Sequence, residues 1–166
     1  MGCGSVRDGF DEPLVSIADA LNEGKNAYPL GEREKVFFVF PVHSWGPAVL
    51  VPRFISRLIL SGYKGQEVYF VCTCGDDCGY TDRIMRSILA RRGIAVTGGF
   101  SVQMPNNYVL MPGFDVDSKM VETEKLEKAP ERVGEIVEAI RQKRNPSLYY
   151  AGSVPSFEEL YGLSVV

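Results

Sequence analysis

Three short stretches carry the residue types that could do chemistry: HSWGP at 43–47, TCGDDCG at 73–79 and MPNNYVLMP at 104–112. The first holds the chain's single histidine, His43, and its single tryptophan, Trp45, beside Gly46 and Pro47. An indole on a loop stiffened by glycine and proline either packs on a neighbouring helix or offers a flat wall to a planar ligand. His43 has no second histidine and no partner of triad type, so it reads as a solvent-edge or hydrogen-bonded side chain rather than a general acid or base. In the second stretch Gly75 and Gly79 let backbone approach a ligand closely, and Thr73 adds a hydroxyl. In the third, Asn106 and Asn107 either satisfy turn backbone or present donors and acceptors to a polar ring edge, with Tyr108 stacked on the ring face. One planar ligand with a polar rim accounts for these residues together.

The four cysteines are Cys3, Cys72, Cys74 and Cys78. Three of them fall within seven residues, too local for a disulfide framework, and a reducing cytoplasm suits such usage. Strand alternation puts Cys72 and Cys74 on one face. The C-x-x-C knuckle and the iron–sulfur spacing are both absent, so a metal centre is the weaker reading and no metal ligand is assigned.

The elements that must position these loops follow from hydrophobic pattern. KVFFVFPV (35–42) and EVYFVCTCG (67–75) are unbroken apolar runs, the signature of strands buried on both faces of a parallel sheet. IAVTGGFSVQMP (94–105) reads as a third strand, interrupted by a bulge at Gly98-Gly99, and LVSI (14–17) as a short fourth, followed by a polar connector over 18–34. Helical spacing appears in 48–62, with Leu50, Phe54, Ile55, Leu58 and Ile59 inward and Gly62 as a stop. It appears again in 76–93, with Ile84, Ile88 and Leu89 inward and Gly93 as terminator. Residues 116–144 form the longest helical stretch, which Pro130 kinks or divides, and 145–166 read as an irregular tail.

Buried strands alternating with amphipathic helices predict an α/β protein with a mainly parallel sheet, organised as one domain over 1–166. Ligands of such sheets bind beyond the carboxyl ends of the strands, which is where the three loops fall. The chain of 166 residues carries 18 Lys+Arg against 21 Asp+Glu, a net charge of −3 without basic clusters, which argues against nucleic acid. Its longest apolar runs are too short to span a bilayer, and no secretory signal opens it. The expectation is a cytoplasmic protein.

Taken in order, LVSIADAL, VFFVFPVHSWGPAV, VYFVCTCGDDCGYTDRI and ARRGIAVTGGFSVQMPNNYVL resemble the flavodoxin-like module of a bacterial and archaeal family that joins this module to a ferredoxin module. In that family an apolar strand ends F-P-V-aromatic-x-W-G-x-P, another ends T-C-G-G, and a third motif runs G-x-x-V-x-M-P-x-N-Y. The resemblance covers residues 14 to 144. It implies a flavodoxin-like three-layer sandwich that binds FMN, with electron transfer or flavin-dependent reduction as its chemistry. Pro41, His43, Ser44, Trp45 and Gly46 would form the first loop at the flavin ring. Thr73, Cys74, Gly75 and Asp76 would form the second, and Met104, Pro105, Asn107 and Tyr108 match the third motif. Gly46 and Gly75 are the positions where backbone could reorient beside the ring.

Two departures from the family shape the expectation. The ferredoxin module is not matched, so a separate redox partner such as a ferredoxin or a reductase is implied. Residues 1–13 form a truncated or atypical start: Gly2-Cys3-Gly4-Ser5 falls where the family has G-T-G-N, with no strand before it and too few residues after it for a full helix. The family's first central strand is then missing or replaced, by a swapped homodimer among other routes. FMN affinity should fall with the loss of the phosphate nest. The alternative reading is a non-catalytic flavodoxin-like remnant or interaction module that no longer retains FMN.

Overall fold

A computed structural model describes residues 14–107, 109, 115–143 and 149–152. The sheet grows from the two apolar runs. β2 (Val36–His43) and β5 (Val68–Cys74) pair in parallel from Val36 beside Val68 to Pro41 beside Thr73. β6 (Gly98–Gln103) adds in parallel on the far side of β5, from Gly98 beside Tyr69 to Gln103 beside Cys74. β3 (Gly46–Pro47) folds back antiparallel on the end of β2, giving the order β3-β2-β5-β6. A second, two-stranded parallel sheet joins β1 (Ala27–Pro29) to β4 (Ile59–Ser61). The fold is therefore α/β with a mixed, mostly parallel four-stranded sheet.

Alternation along β5 sends side chains to two cores. Phe70 and Cys72 join Phe38 and Phe40 on one face. There they meet α1 (Ile17–Asn22), α2 (Leu50–Ile55) and α3 (Thr81–Ala90), through Ala20, Phe54, Ile55, Met85 and Leu89. Tyr69 and Val71 join Phe100 and Val102 on the other face, covered by Ile136, Ala139 and Ile140 of α4 (Lys119–Arg141).

Several expectations change. Residues 14–17 are not a strand: Ser16 caps α1, its hydroxyl accepting the Asp19 N–H, and the good helix formers of ADALN follow. The stretch expected as connector thus holds both α1 and β1. The 48–62 helix is cut to α2, and its last residues cross to β4, so Ile59 and Leu50 are exposed while Val51 takes the inward position. α3 starts only at Thr81, after an irregular 75–80. Gly98 and Gly99 sit in an unbroken ladder with no bulge; a Cβ on Gly99 would fall on the Phe70 ring, so the glycine makes room for that phenylalanine. Pro130 lies inside α4 without dividing it.

Candidate functional site

Because β2, β5 and β6 run parallel and nearly in register, their carboxyl ends finish level, and the three chemistry-bearing loops meet there. The first is a two-residue turn, Ser44-Trp45, joining β2 to β3 with His43 opposite Gly46. Both turn residues have positive φ, 47° and 60°, as primed hairpin turns require. Asn-Gly is the usual occupant; a serine and a tryptophan in that conformation store strain of the kind found at binding sites. Trp45 is half-buried and fixed: its carbonyl accepts the Tyr80 N–H at 2.8 Å, and a Cβ on Gly79 would overlap it. Pro41, His43 and Ser44 are exposed. Gly46 is buried in the β3 bridge against Ile84, which leaves it little freedom to reorient.

The second loop leaves β5 beyond Thr73, which is half-buried between Pro41 and Val102, and Cys74, which is buried. Gly75 lies against the Asn106 carboxamide so closely that any Cβ would displace it. The second loop is tied to the third by the Met104 N–H donating to the Cys74 carbonyl (2.8 Å), Gln103 Nε2 to the Asp76 carbonyl (3.0 Å) and Asn106 Nδ2 to Asp76 Oδ2 (2.8 Å). Asn107 is exposed, and Tyr108 lies outside the described residues.

Two residues that the sequence reading did not single out complete this network. Lys125 of α4 places Nζ 2.8 Å from Asp76 Oδ1 and 2.7 Å from Asp117 Oδ2, and Asp117 also accepts the Asn106 N–H at 2.8 Å. The Lys125 ammonium and then the Asn106 N–H hold the Asp117 carboxyl below the usual carboxylate range. In the sequence both lie in a stretch whose charges read as a solvated helix face, and no local pattern marks them.

Beneath the second loop the three thiols converge. Cys78 Sγ lies 2.9 Å from Cys74 Sγ and 3.7 Å from Cys72 Sγ, all three buried. Cys72 Sγ donates to Cys78 Sγ and Cys78 Sγ to Cys74 Sγ; these thiol contacts lower the Cys78 pKa and, with burial, raise those of Cys72 and Cys74. Residues 149–152 close over the cluster: the Cys78 and Gly79 N–H groups donate to the Tyr150 and Ala151 carbonyls, and Tyr149 packs edge-on against Phe70.

A second feature borders this end of the sheet. On the side of β2 away from β5, no strand among the described residues pairs with 36–41, and a cavity of ≈ 610 Å³ runs along that edge. Consecutive residues 36–41 all line it, together with Leu14, Tyr28, Ala48 and Leu60. Side chains of both parities point to opposite faces, so a cavity that touches all of them faces the strand's backbone edge.

The loop end thus brings together the half-buried Trp45, exposed residues after β2, and a carboxamide and carboxylate after β5 and β6 that bond to each other. Residues 2–5, the segment that resembles a phosphate loop, lie outside the described residues. Among the described residues no group of three or more His, Cys, Asp or Glu side chains is placed to hold a metal ion, and no helix is long and apolar enough to cross a membrane. No family model matches the chain, and neither a curated protein nor a solved structure matches it.

Proposed function

We propose that this chain is a flavodoxin-like FMN-binding protein of electron transfer or flavin-dependent reduction. The observation that carries the reading is the strained Ser44-Trp45 turn, held level with the Gly75–Asn106 contact at the carboxyl edge of a parallel sheet. Bound flavin supplies the electron chemistry. The protein's own groups do the rest. Trp45 walls one face of the ring site. Backbone at Pro41, His43 and Ser44 and the Thr73–Asp76 segment borders its polar edge, and Asn106, pinned by Asp76 and Asp117, holds the third loop against the second. A separate protein, a ferredoxin or a reductase, delivers or takes the electrons. FMN titration with fluorescence quenching is the test. Saturable quenching that weakens in Trp45→Ala supports the reading; free-flavin fluorescence with excess FMN and a natively folded protein removes it.

The open edge of β2 favours a second reading, a folded α/β scaffold that no longer retains FMN. In the family that the chain resembles, the first strand lies on that edge and carries the phosphate loop. Riboflavin and FMN compared side by side separate the two: equal, weak affinities mean a ring site without a phosphate site, and no affinity for either means the scaffold alone.

A further inference from the structure

We propose that Cys74 and Cys78 are a redox-active dithiol that converts to an intrachain disulfide by exchange with a small-molecule disulfide. Their sulfurs stand 2.9 Å apart, roughly 0.9 Å beyond a disulfide bond length, without any intervening group. Structural buried thiols are normally inert and packed among carbons; here Cys78 is flanked by two other thiols and is reached by the Ser101 hydroxyl as well. A disulfide between 74 and 78 closes a five-residue ring, Cys-Gly-Asp-Asp-Cys, in which Gly75 supplies backbone freedom and Gly79, at φ 55°, follows immediately. This inference stands apart from flavin binding and needs no cofactor.

Burial sets the order of events. Cys74 is 6% exposed and Cys78 0%, so an incoming disulfide RSSR reaches Cys74 first. The pair reacts in its singly deprotonated form, with the Cys78 S–H donating to Cys74 Sγ; Cys74 Sγ attacks one sulfur of RSSR, breaking the S–S bond and releasing RS⁻. The released RS⁻ takes the proton from Cys78. Cys78 Sγ then attacks Cys74 Sγ of the mixed disulfide and expels the second RS⁻. The protein loses two electrons and one proton, and RSSR becomes RSH and RS⁻. Cys72, fully buried and 3.7 Å from Cys78, donates to Cys78 and is not consumed.

The test is reduced, purified full chain equilibrated with oxidised glutathione or cystamine without denaturant, then acid-quenched, alkylated and mapped by peptide mass. The expected result is loss of two alkylation sites with a 2 Da lower mass, assigned to a crosslink of Cys74 with Cys78, reversed by a dithiol reductant. Cys3→Ser and Cys72→Ser retain the crosslink; Cys74→Ser and Cys78→Ser each abolish it, with circular dichroism confirming the fold of every variant. Full alkylation of all thiols in the folded protein overturns the proposal. So does a crosslink through Cys72 or Cys3, or one that forms only in urea.

Discussion

The two long edges of β5's neighbourhood are built alike in sequence and end differently in space. β5 is flanked by strands on both sides and is buried along nearly its whole length, with Phe70 and Val68 at 0% exposure. β2 reads just as apolar, VFFVFPVH, yet among the described residues 36–41 have a strand on one side and a ≈ 610 Å³ cavity on the other. Edge strands are usually blunted by charge, proline or a bulge; over 36–40 β2 has none of these. Its sequence is that of a central strand, and among the described residues only β3, opposite 42–43, pairs on that side. The difference teaches that the loop end, where strands β2, β5 and β6 finish together, is defined by the closed side of the sheet, and that β2 is its less supported wall.

The largest expected effect follows from cutting into each side. Phe70 packs against Phe40, Tyr149 and the space left by Gly99, so Phe70→Ala should cost about 3–5 kcal/mol. Val36→Ala, on the cavity side and half-buried, should cost about 1 kcal/mol. Urea denaturation of the two variants measures the contrast. Equal losses would mean that the β2 edge is as well covered as β5.

The charged network that spans the loops gives the next effect. Lys125→Met leaves Asp117 without the ammonium that holds its carboxyl below the usual range, and frees Asp76 as well; a loss of about 1–3 kcal/mol is expected for hydrogen bonds to charged groups. The sign in pH follows from the depressed value. A carboxyl bound more tightly as its anion stabilises the fold above its unfolded pKa, about 3.9, and that contribution disappears as pH falls through the lower folded value. Stability of the native chain should therefore drop on acidification below about pH 4, and the Lys125→Met variant should show a shallower acid slope in the same window. A local effect of similar size is expected from Gly75→Ala. Its methyl displaces Asn106 and breaks the bond to Asp76, with a cost of about 1–3 kcal/mol for overpacking, read as loss of stability together with weaker FMN quenching.

How much of this was legible follows from range. β2 and β5 could be read because continuous apolar runs bounded by turn residues leave few alternatives, and the gathering of three loops followed from parallel strands alone. Residues 14–17 read as a strand because LVSI is a short apolar run with β-branched Val15 and Ile17, while the decisive signal is Ser16 in front of a helix-forming run. The glycine pair at 98–99 looked like a bulge because sequence shows a missing side chain but not the Phe70 ring that occupies its place. Lys125, Asp117 and the 2.9 Å contact of Cys74 with Cys78 depend on α4 and on residues 75–78 folding back, and no local pattern encodes such meetings.

The smallest effect on stability is the sharpest on site architecture. Replacing Ser44-Trp45 by Asn-Gly substitutes residues that adopt positive φ readily. Each non-glycine residue in the left-handed region costs about 1–2 kcal/mol, and Asn visits it more easily than Ser. Loss of the half-buried indole gives up buried apolar area and offsets most of that gain. The net change in urea midpoint should be close to zero. Flavin binding should nevertheless fall, because the turn keeps its shape and loses its wall. A variant that is clearly more stable and still quenches FMN fluorescence would show that the strain at 44–45 serves the hairpin alone and that the ring site lies elsewhere.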